Sequence, residues 1–193
     1  MNRREAVQSL TILTGGILSA SAMGILLDSC HSNMKSGKGI QFTDDERDTV
    51  FRMADIIIPS TKIPGAVTAG VPAFVVMMMQ QCYPVNDQDS FHKGLSAFDR
   101  ICKQKYGNHF LKLSPREQIE AVKYLDNKVF GKNDSAGQSD ESVSDFYRNL
   151  KGLTVLGYYS SKPGATEALR YLPVPGHYDG CIPYHKGDKE WAT

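Results

Sequence analysis

The sequence predicts an all-α protein, a single small domain of about five helices followed by an extended C-terminal segment rich in proline, glycine and tyrosine. Apolar residues recur at helical spacing in five stretches, and two Ser/Thr-x-x-Glu capping boxes mark helix starts. No stretch shows the sustained alternation of a half-buried β-strand. We divide the chain into an export signal (1–29), a polar tether (30–40) and the helical domain with its C-terminal segment (41–193).

The first helix is predicted to begin at the capping box Thr43-Asp44-Asp45-Glu46, in which the Thr43 hydroxyl and the Glu46 carboxylate satisfy first-turn amides. Phe51 lies beside its apolar face, which is made of Val50, Ala54, Ile57 and Ile58. Pro59 is expected to end the helix, because the residue before a proline avoids the helical conformation. A loop that contains Pro64-Gly65-Ala66 follows.

Pro72 stands where a second helix can begin, since proline suits the first helical turn. This helix is apolar all round from Phe74 to Met79 and ends before Pro84, so we expect its methionines to be core rather than a soft binding surface. A third helix ends at Gly107, and its apolar face holds Phe91, Leu95, Phe98, Cys102 and Tyr106.

A second capping box, Ser114-Pro115-Arg116-Glu117, begins the fourth helix and places proline at its first position. The buried stripe of this helix is predicted to be Ile119, Val122, Leu125 and Val129. The polar stretch 131–141 is predicted to be a loop. A fifth helix follows, marked by Phe146, Leu150, Leu153 and Gly157.

The C-terminal segment, from Tyr171 onward, differs in composition from the helices before it. Its three prolines and three glycines exclude a long helix, yet it holds four tyrosine and tryptophan side chains. Surfaces that meet a partner are enriched in these two residue types. We therefore interpret the segment as extended chain that packs on its own domain, on a partner or on both.

The N-terminus has the layout of an export signal: Arg3 and Arg4 precede the uncharged stretch Leu10–Leu27. The arginine pair indicates the twin-arginine route, which carries proteins that are already folded. An ordinary secretory signal also has a basic start, and the length of the stretch is at the lower limit for a membrane-spanning helix. Its many small residues favour a cleaved signal.

Cys30 follows Leu27-Asp28-Ser29, a pattern that resembles the lipobox of lipoproteins. We predict that Cys30 is lipidated and that the protein is exported to the periplasm and held at a membrane; the alternative is an ordinary buried or free cysteine. Acyl chains contribute about 0.8 kcal/mol for each buried CH₂. Among the remaining cysteines, Cys82, Cys102 and Cys181, two could pair, and the spacing leaves the pair open.

No constellation of residues indicates catalysis: the sequence has no phosphate-binding glycine loop, nucleophile elbow or His-Glu-x-x-His motif. His177, Cys181 and His185 are spaced four apart, but glycine and proline between them argue against the helix that would align them on a metal. His92 and His109 have no visible partner and are expected to face solvent. With 22 basic and 21 acidic residues, nothing supports nucleic-acid binding.

Several short patterns resemble the gluconate 2-dehydrogenase subunit 3 family over most of residues 40–184. They are Thr43-Asp44-Asp45-Glu46, Ala54-Asp55-Ile56-Ile57-Ile58-Pro59, Pro64-Gly65-Ala66, Gly70-Val71, Gly157-Tyr158-Tyr159 and Tyr178-Asp179-Gly180-Cys181. The resemblance implies a small, non-catalytic subunit of a periplasmic flavin-dependent dehydrogenase that oxidises sugars, sugar acids or glucosides. It also implies FAD in a large partner subunit and none in this chain, often a cytochrome c subunit, and export of the large subunit on the signal of the small one.

We therefore expect an accessory subunit that supplies the export signal and stabilises the flavoprotein. The expected partner-binding residues are Pro64, Gly65 and Ala66 in the first loop, with Tyr178 and Tyr184 in the C-terminal segment. Gly65 is expected to adopt a backbone conformation that other residues resist, and the tyrosines can bury a ring while the hydroxyl stays at a polar rim. The alternative is an independent membrane-anchored lipoprotein that binds a small ligand.

Overall fold

The computed structural model describes residues 40–131, 141–174, 176–177, 180–183 and 185–192. Within them the all-α prediction is confirmed: there is no strand, and an isolated bridge between Arg170 and Trp191 is the one β-type pairing. Arg3, Arg4 and Cys30 lie outside the described residues. The helices are α1 (Asp44–Ile57), α2 (Val71–Cys82), α3 (Val85–Tyr106), α4 (Pro115–Phe130) and α5 (Glu141–Ser160), with a 3₁₀ turn at Phe110–Lys112 and a π turn at Gly164–Ala168.

Both predicted capping boxes are present. The amide of Thr43 donates to Glu46 Oε2 at 2.8 Å, and the amide of Glu46 donates back to Thr43 Oγ1 at 3.3 Å. Ser114 and Glu117 repeat this exchange at the start of α4, with distances of 2.9 and 3.4 Å. Each such cap stabilises its helix by about 1 kcal/mol. Gly107 ends α3 in the left-handed conformation with φ of 82°, also as predicted.

Helix α5 is the centre of the domain, since it contacts each of the other four helices. Its closest neighbour is α3, where Gly94 leaves no room for a side chain. A Cβ atom at Gly94 would lie 2.2 Å from the Ser142 carbonyl oxygen and 2.4 Å from the Phe146 Cβ. The Phe91 and Phe146 rings pack edge to face beside this crossing, 4.8 Å apart. The absence of a side chain at Gly94 therefore sets the distance between the two helices.

The buried stripe of α4 differs from the predicted one. Val122 and Leu125 are buried as expected, but Ile119 is exposed and Gln118 is buried. The Gln118 amide explains the difference, because it donates to the Phe110 carbonyl at 3.1 Å and accepts from Arg52 at 2.6 Å. These two hydrogen bonds offset the cost of removing the Gln118 amide from water, so the polar residue can take the buried position next to Ile119.

Exposure refines one prediction for α1 and corrects one for α2. Phe51, placed beside the apolar face of α1, is 48% exposed, and Met53, which the predicted face did not include, is buried. The methionine run of α2 is divided, because Met79 is buried whereas Met77 is exposed. The prediction that the methionines form core therefore holds for Met79 and is wrong for Met77.

The prediction that His92 and His109 have no partner is wrong, while the prediction that they face solvent holds for His109 (51% exposed) and fails for His92 (12% exposed). Nδ1 of His92 lies 2.7 Å from Glu46 Oε1, and Nδ1 of His109 lies 2.5 Å from Asp99 Oδ2. Burial alone would raise the pKa of Glu46, but hydrogen bonds from His92 and Thr43 outweigh it, so the net pKa lies below the usual value. The His92 pair thereby joins the first turn of α1 to the N-terminal half of α3.

The Cys102 thiol lies within the core, and the Cys82 thiol lies at the surface. Neither forms a disulfide in the described part of the chain. Burial, with a contribution from the charge of Asp99, raises the pKa of Cys102 to about 12. Because the thiolate is the reactive form, Cys102 is chemically inert while the fold is intact.

Candidate partner interface

The loop between α1 and α2 is held in place by hydrogen bonds to both neighbouring elements. The amide of Ala66 donates to the Ile58 carbonyl at 2.9 Å, which closes the loop back onto the end of α1. The hydroxyl of Tyr158 on α5 donates to the Pro64 carbonyl at 2.8 Å. The loop therefore sits against the C-terminal half of α5 as an ordered part of the fold.

Gly65 is required in this loop because two stretches of main chain nearly touch there. A Cβ atom would lie 2.4 Å from the Ser60 nitrogen and 2.7 Å from the Ile58 carbonyl oxygen. The φ angle of Gly65 is not positive, so the constraint is close approach rather than the special backbone conformation that we predicted.

The three residues predicted to bind a partner in this loop differ in exposure. Gly65 and Ala66 are buried, and Pro64 is partly exposed. Gly65 and Ala66 can therefore shape the loop but cannot touch a partner directly. The exposed residues of the loop are Pro59, Ser60, Thr61 and Lys62 in its first part and Thr68 and Gly70 near its end. Partner binding by the loop stays a prediction, and these exposed residues are the surface through which it would act.

A groove of about 420 Å³ opens beside Pro59, between α1, α4 and α5. We refer to it as the α1–α4–α5 groove. Its floor is apolar, and Ile119 contributes to it from α4, which accounts for the exposure of that residue. The apolar lining consists of Ile56, Ile57, Pro59, Ile119 and Val122.

Four of the five charged residues that line the groove are paired with each other, and Lys123 is the fifth. Arg52 contacts the Asp55 carboxylate at 2.7 Å, and Asp126 accepts from the ammonium of Lys151. The Tyr147 hydroxyl also donates to Asp126, at 3.0 Å. Burial, together with this hydrogen bond to Asp126, raises the pKa of Tyr147 well above its usual value. The rim is thus fixed in position, as in a binding surface that changes little on association.

The outward face of α5 is apolar near its C-terminus. We call this face the α5 strip. It consists of Gly152 and the residues three, four and seven positions later, which are Val155, Leu156 and Tyr159. Leu156 is 54% exposed and Tyr159 is 45% exposed. Lys151 lines the groove and lies one helical turn before Val155 of the strip, so strip and groove adjoin. Exposed apolar residues that cluster in this way mark interaction surfaces.

Sequence reasoning missed both the groove and the α5 strip. The charges at the groove come from three helices far apart in the chain, so no local pattern connects them. The strip did leave a signal, because Leu156 and Tyr159 are apolar but fall outside the buried stripe of α5. Apolar residues outside the buried stripe of an amphipathic helix are the pattern that could have found it.

The end of the C-terminal segment contacts the residues that come just before the segment begins. Arg170 donates its amide to the Glu190 carbonyl at 2.7 Å, and its guanidinium lies 4.8 Å from the centre of the Trp191 ring. The ammonium of Lys189 also donates to the Glu167 carbonyl. Tyr178 and Tyr184 lie outside the described residues, so their predicted role in partner binding stays a prediction. The large apolar side chains of this segment that are exposed among the described residues are Tyr171, Leu172, Val174, Ile182 and Trp191.

The histidines of the C-terminal segment were considered as metal ligands in the sequence. Among the residues that the structure describes, no three His, Cys, Asp or Glu side chains are grouped to hold a metal ion. The backbone amide of His185 donates to Asp188 Oδ2 at 2.9 Å. Over the same described ranges, no helix is long and apolar enough to cross a membrane.

Comparison with known proteins gives one match. A family model described as Gluconate 2-dehydrogenase subunit 3 matches residues 44–176. No curated protein and no solved structure matches the chain. The matched residues begin at the first residue of α1 and extend past the π turn, so they include the first loop, the groove and the α5 strip.

Proposed function

The chain belongs to the gluconate 2-dehydrogenase subunit 3 family, and from this premise we propose that it is the non-catalytic accessory subunit of an exported FAD-dependent dehydrogenase. The family match carries the proposal, because its name describes one subunit of a dehydrogenase complex. We assign FAD and the oxidation of a sugar, sugar acid or glucoside to the large partner subunit. A cytochrome c subunit is the proposed electron acceptor.

The surface of the domain supports a stable partner. The α1–α4–α5 groove has an apolar floor and a rim of paired charges, and the α5 strip extends the apolar area beside it. Protein interfaces combine an apolar centre with a polar rim in this way. We propose that the large subunit covers the groove, the α5 strip and the exposed part of the first loop, and that the C-terminal segment adds to this contact.

Two further roles are proposed for the N-terminus. Arg3 and Arg4 would direct the folded complex into the twin-arginine export machinery, so that one signal serves both subunits. Cys30 would carry the lipid that holds the complex at the periplasmic side of a membrane. A partner exported without its own signal explains why a non-catalytic chain would have to fold before export.

The first prediction is that the chain co-purifies with a flavoprotein from the membranes of its own cells. The purified complex should show the visible absorption of bound flavin and should reduce a dye acceptor when a sugar or sugar acid is added. The isolated chain should do neither, because FAD is assigned to the partner. A chain that elutes alone, or that oxidises sugar alone, contradicts the proposal.

The same preparation also tests the alternative, an independent lipoprotein that binds a small ligand. The observation in its favour is the groove, whose volume of about 420 Å³ is within the range of small-molecule sites. A chain that elutes alone and retains a small molecule after purification would support this alternative. A chain that elutes with a flavoprotein and without such a molecule would exclude it.

The second prediction concerns export. Replacing the arginine pair (Arg3→Lys with Arg4→Lys) should leave both subunits in the cytoplasm, since twin-arginine recognition depends on the pair rather than on positive charge alone. The measurement is the distribution of both subunits between cytoplasm and periplasm. Lys35→Arg with Lys38→Arg is a matched control, because it also exchanges two basic residues, and it should leave export unchanged. Normal periplasmic dehydrogenase activity in the Arg3/Arg4 variant would contradict the twin-arginine route.

A further inference from the structure

A cluster of positive charge lies on α3 and α4, apart from the proposed partner interface. Two shallow clefts, of about 500 and 480 Å³, meet at Ala97 and Arg100 on the surface of α3. None of the residues that line them lines the α1–α4–α5 groove. Their cationic residues are Lys93, Arg100, Lys105 and Lys128, which we call the basic face.

Among the residues that the structure describes, the cations of the basic face have no carboxylate partner. No described carboxylate lines either cleft, and none of the four cations forms an ion pair with a described residue. Lys105 instead lies over the ring of Tyr124, 4.0 Å from its centre, and Lys128 lies 5.7 Å from the same ring. The ring holds the two ammonium groups together at the surface, where they can meet negative charge on another body.

The N-terminal tether reaches the domain at this side of α3. The amide of Ile40 donates to Gln88 Oε1 at 3.0 Å, and the Phe42 ring packs 4.4 Å from the His92 ring. His92 itself lines the cleft that contains Lys93 and Arg100. The chain therefore leaves the domain beside the start of the basic face.

The tether is short and positively charged. Nine residues separate Cys30 from Ile40, so the Cα atoms of these two residues are at most about 35 Å apart when the chain is fully extended. Between Cys30 and Asp44 the chain has two lysines, Lys35 and Lys38, and no acidic residue. A lipid at Cys30 would thus keep the basic face within reach of the bilayer surface, and the tether adds two positive charges and no negative one.

We propose that the basic face rests on the anionic phospholipid headgroups of the membrane to which Cys30 is attached. The inference rests on the proposed lipid anchor, and it adds a second, electrostatic contact that orients the domain. Juxtamembrane cations attract anionic lipid surfaces additively, and the attraction weakens as salt is raised. The alternative partner for the basic face is an acidic protein surface. The bilayer is favoured because a lipid at Cys30 would hold it near this side of α3.

The test compares two triple charge reversals in the full chain. Arg100→Glu/Lys105→Glu/Lys128→Glu reverses three of the four charges of the basic face, and Lys62→Glu/Lys162→Glu/Lys186→Glu changes the net charge equally at exposed positions elsewhere. Each purified protein is mixed with phosphatidylcholine vesicles with and without phosphatidylglycerol, and the preference for anionic vesicles is the ratio of the two affinities. The apolar N-terminal stretch contributes to both affinities, so it cancels from this ratio.

We expect the basic-face variant to lose at least about tenfold more of this preference than the control variant, and the wild-type preference to fall as salt is raised. Equal losses in the two variants would overturn the proposal, because general net charge would then explain the attraction. If the reversals lower the melting temperature, Arg100→Gln/Lys105→Gln/Lys128→Gln replaces them, and it must still reduce the preference more than its glutamine control.

Failure of this inference can be told apart from failure of the proposed function. The vesicle assay contains no partner subunit and does not depend on lipidation, whereas co-purification with the flavoprotein tests the accessory role. A basic-face variant that loses the flavoprotein but keeps its preference for anionic vesicles would overturn the membrane proposal and assign the basic face to the partner instead.

Discussion

Replacing Gly94 by alanine is expected to destabilise the domain although alanine is the better helix former. The new methyl group would lie 2.2 Å from the Ser142 carbonyl oxygen and 2.4 Å from the Phe146 Cβ. Overpacking of this kind costs about 1–3 kcal/mol, and a main-chain carbonyl cannot rotate away. After a gain of up to about 1 kcal/mol in helix propensity, we expect a net loss of up to about 2 kcal/mol.

Gly152→Ala is the matched control, since Gly152 also lies inside a helix but has open space around its Cβ position. It should stabilise the protein by up to about 1 kcal/mol through helix propensity alone. For a domain of this size, 1 kcal/mol corresponds to about 2–4 °C in Tm. Thermal unfolding followed by circular dichroism should therefore show the two variants moving in opposite directions. A Gly94→Ala variant that melts with or above Gly152→Ala would show that α3 and α5 can separate at little cost.

The second large effect is expected at the α5 strip. Leu156→Glu should leave the melting temperature nearly unchanged, because the side chain is 54% exposed. It should instead weaken the association with the flavoprotein, since a charge would be buried where the partner is proposed to pack. Apolar residues at an interface centre contribute about 2 kcal/mol or more, which corresponds to about thirtyfold in Kd.

Phe51→Glu is the control for this experiment, because Phe51 is an apolar helix residue of similar exposure that lies outside the groove and the α5 strip. Both variants are passed over a sizing column with the flavoprotein, and the fraction that co-elutes is measured. We expect Phe51→Glu to co-elute like the wild type and Leu156→Glu to separate. Equal co-elution of the two variants would place the partner on another surface.

The elements that could be predicted from the sequence are those decided by neighbouring residues. The capping boxes at Thr43 and Ser114 each need only four consecutive residues, and the stop at Gly107 needs only one. All three are confirmed. The helical spacing of apolar residues likewise located the five helices, because burying one face of a helix is a requirement of any packing arrangement.

Predictions failed where a distant residue decided the outcome. Gln118 is buried because Arg52, 66 residues earlier in the chain, donates a hydrogen bond to it. His92 is paired with Glu46, which lies 46 residues earlier in the chain. No local pattern contains such pairings. Gly65 shows the same limit. A side chain is excluded there because the loop closes back onto the end of α1, and not because of the φ angle of Gly65. The groove is formed by three helices that are far apart in the chain, so no local sequence pattern predicts it.

The buried thiol of Cys102 bears on the order of folding and oxidation. Disulfide exchange needs a thiolate that a second sulfur can approach, and Cys102 offers neither while the core is closed. A chain that acquires its fold in the reducing cytoplasm would thus arrive in an oxidising compartment with this cysteine already shielded. A chain threaded through the membrane unfolded would expose Cys102 alongside Cys82 to the oxidising enzymes before the core could close. Export after folding would protect this domain from trapping its own core cysteine in a mispaired disulfide.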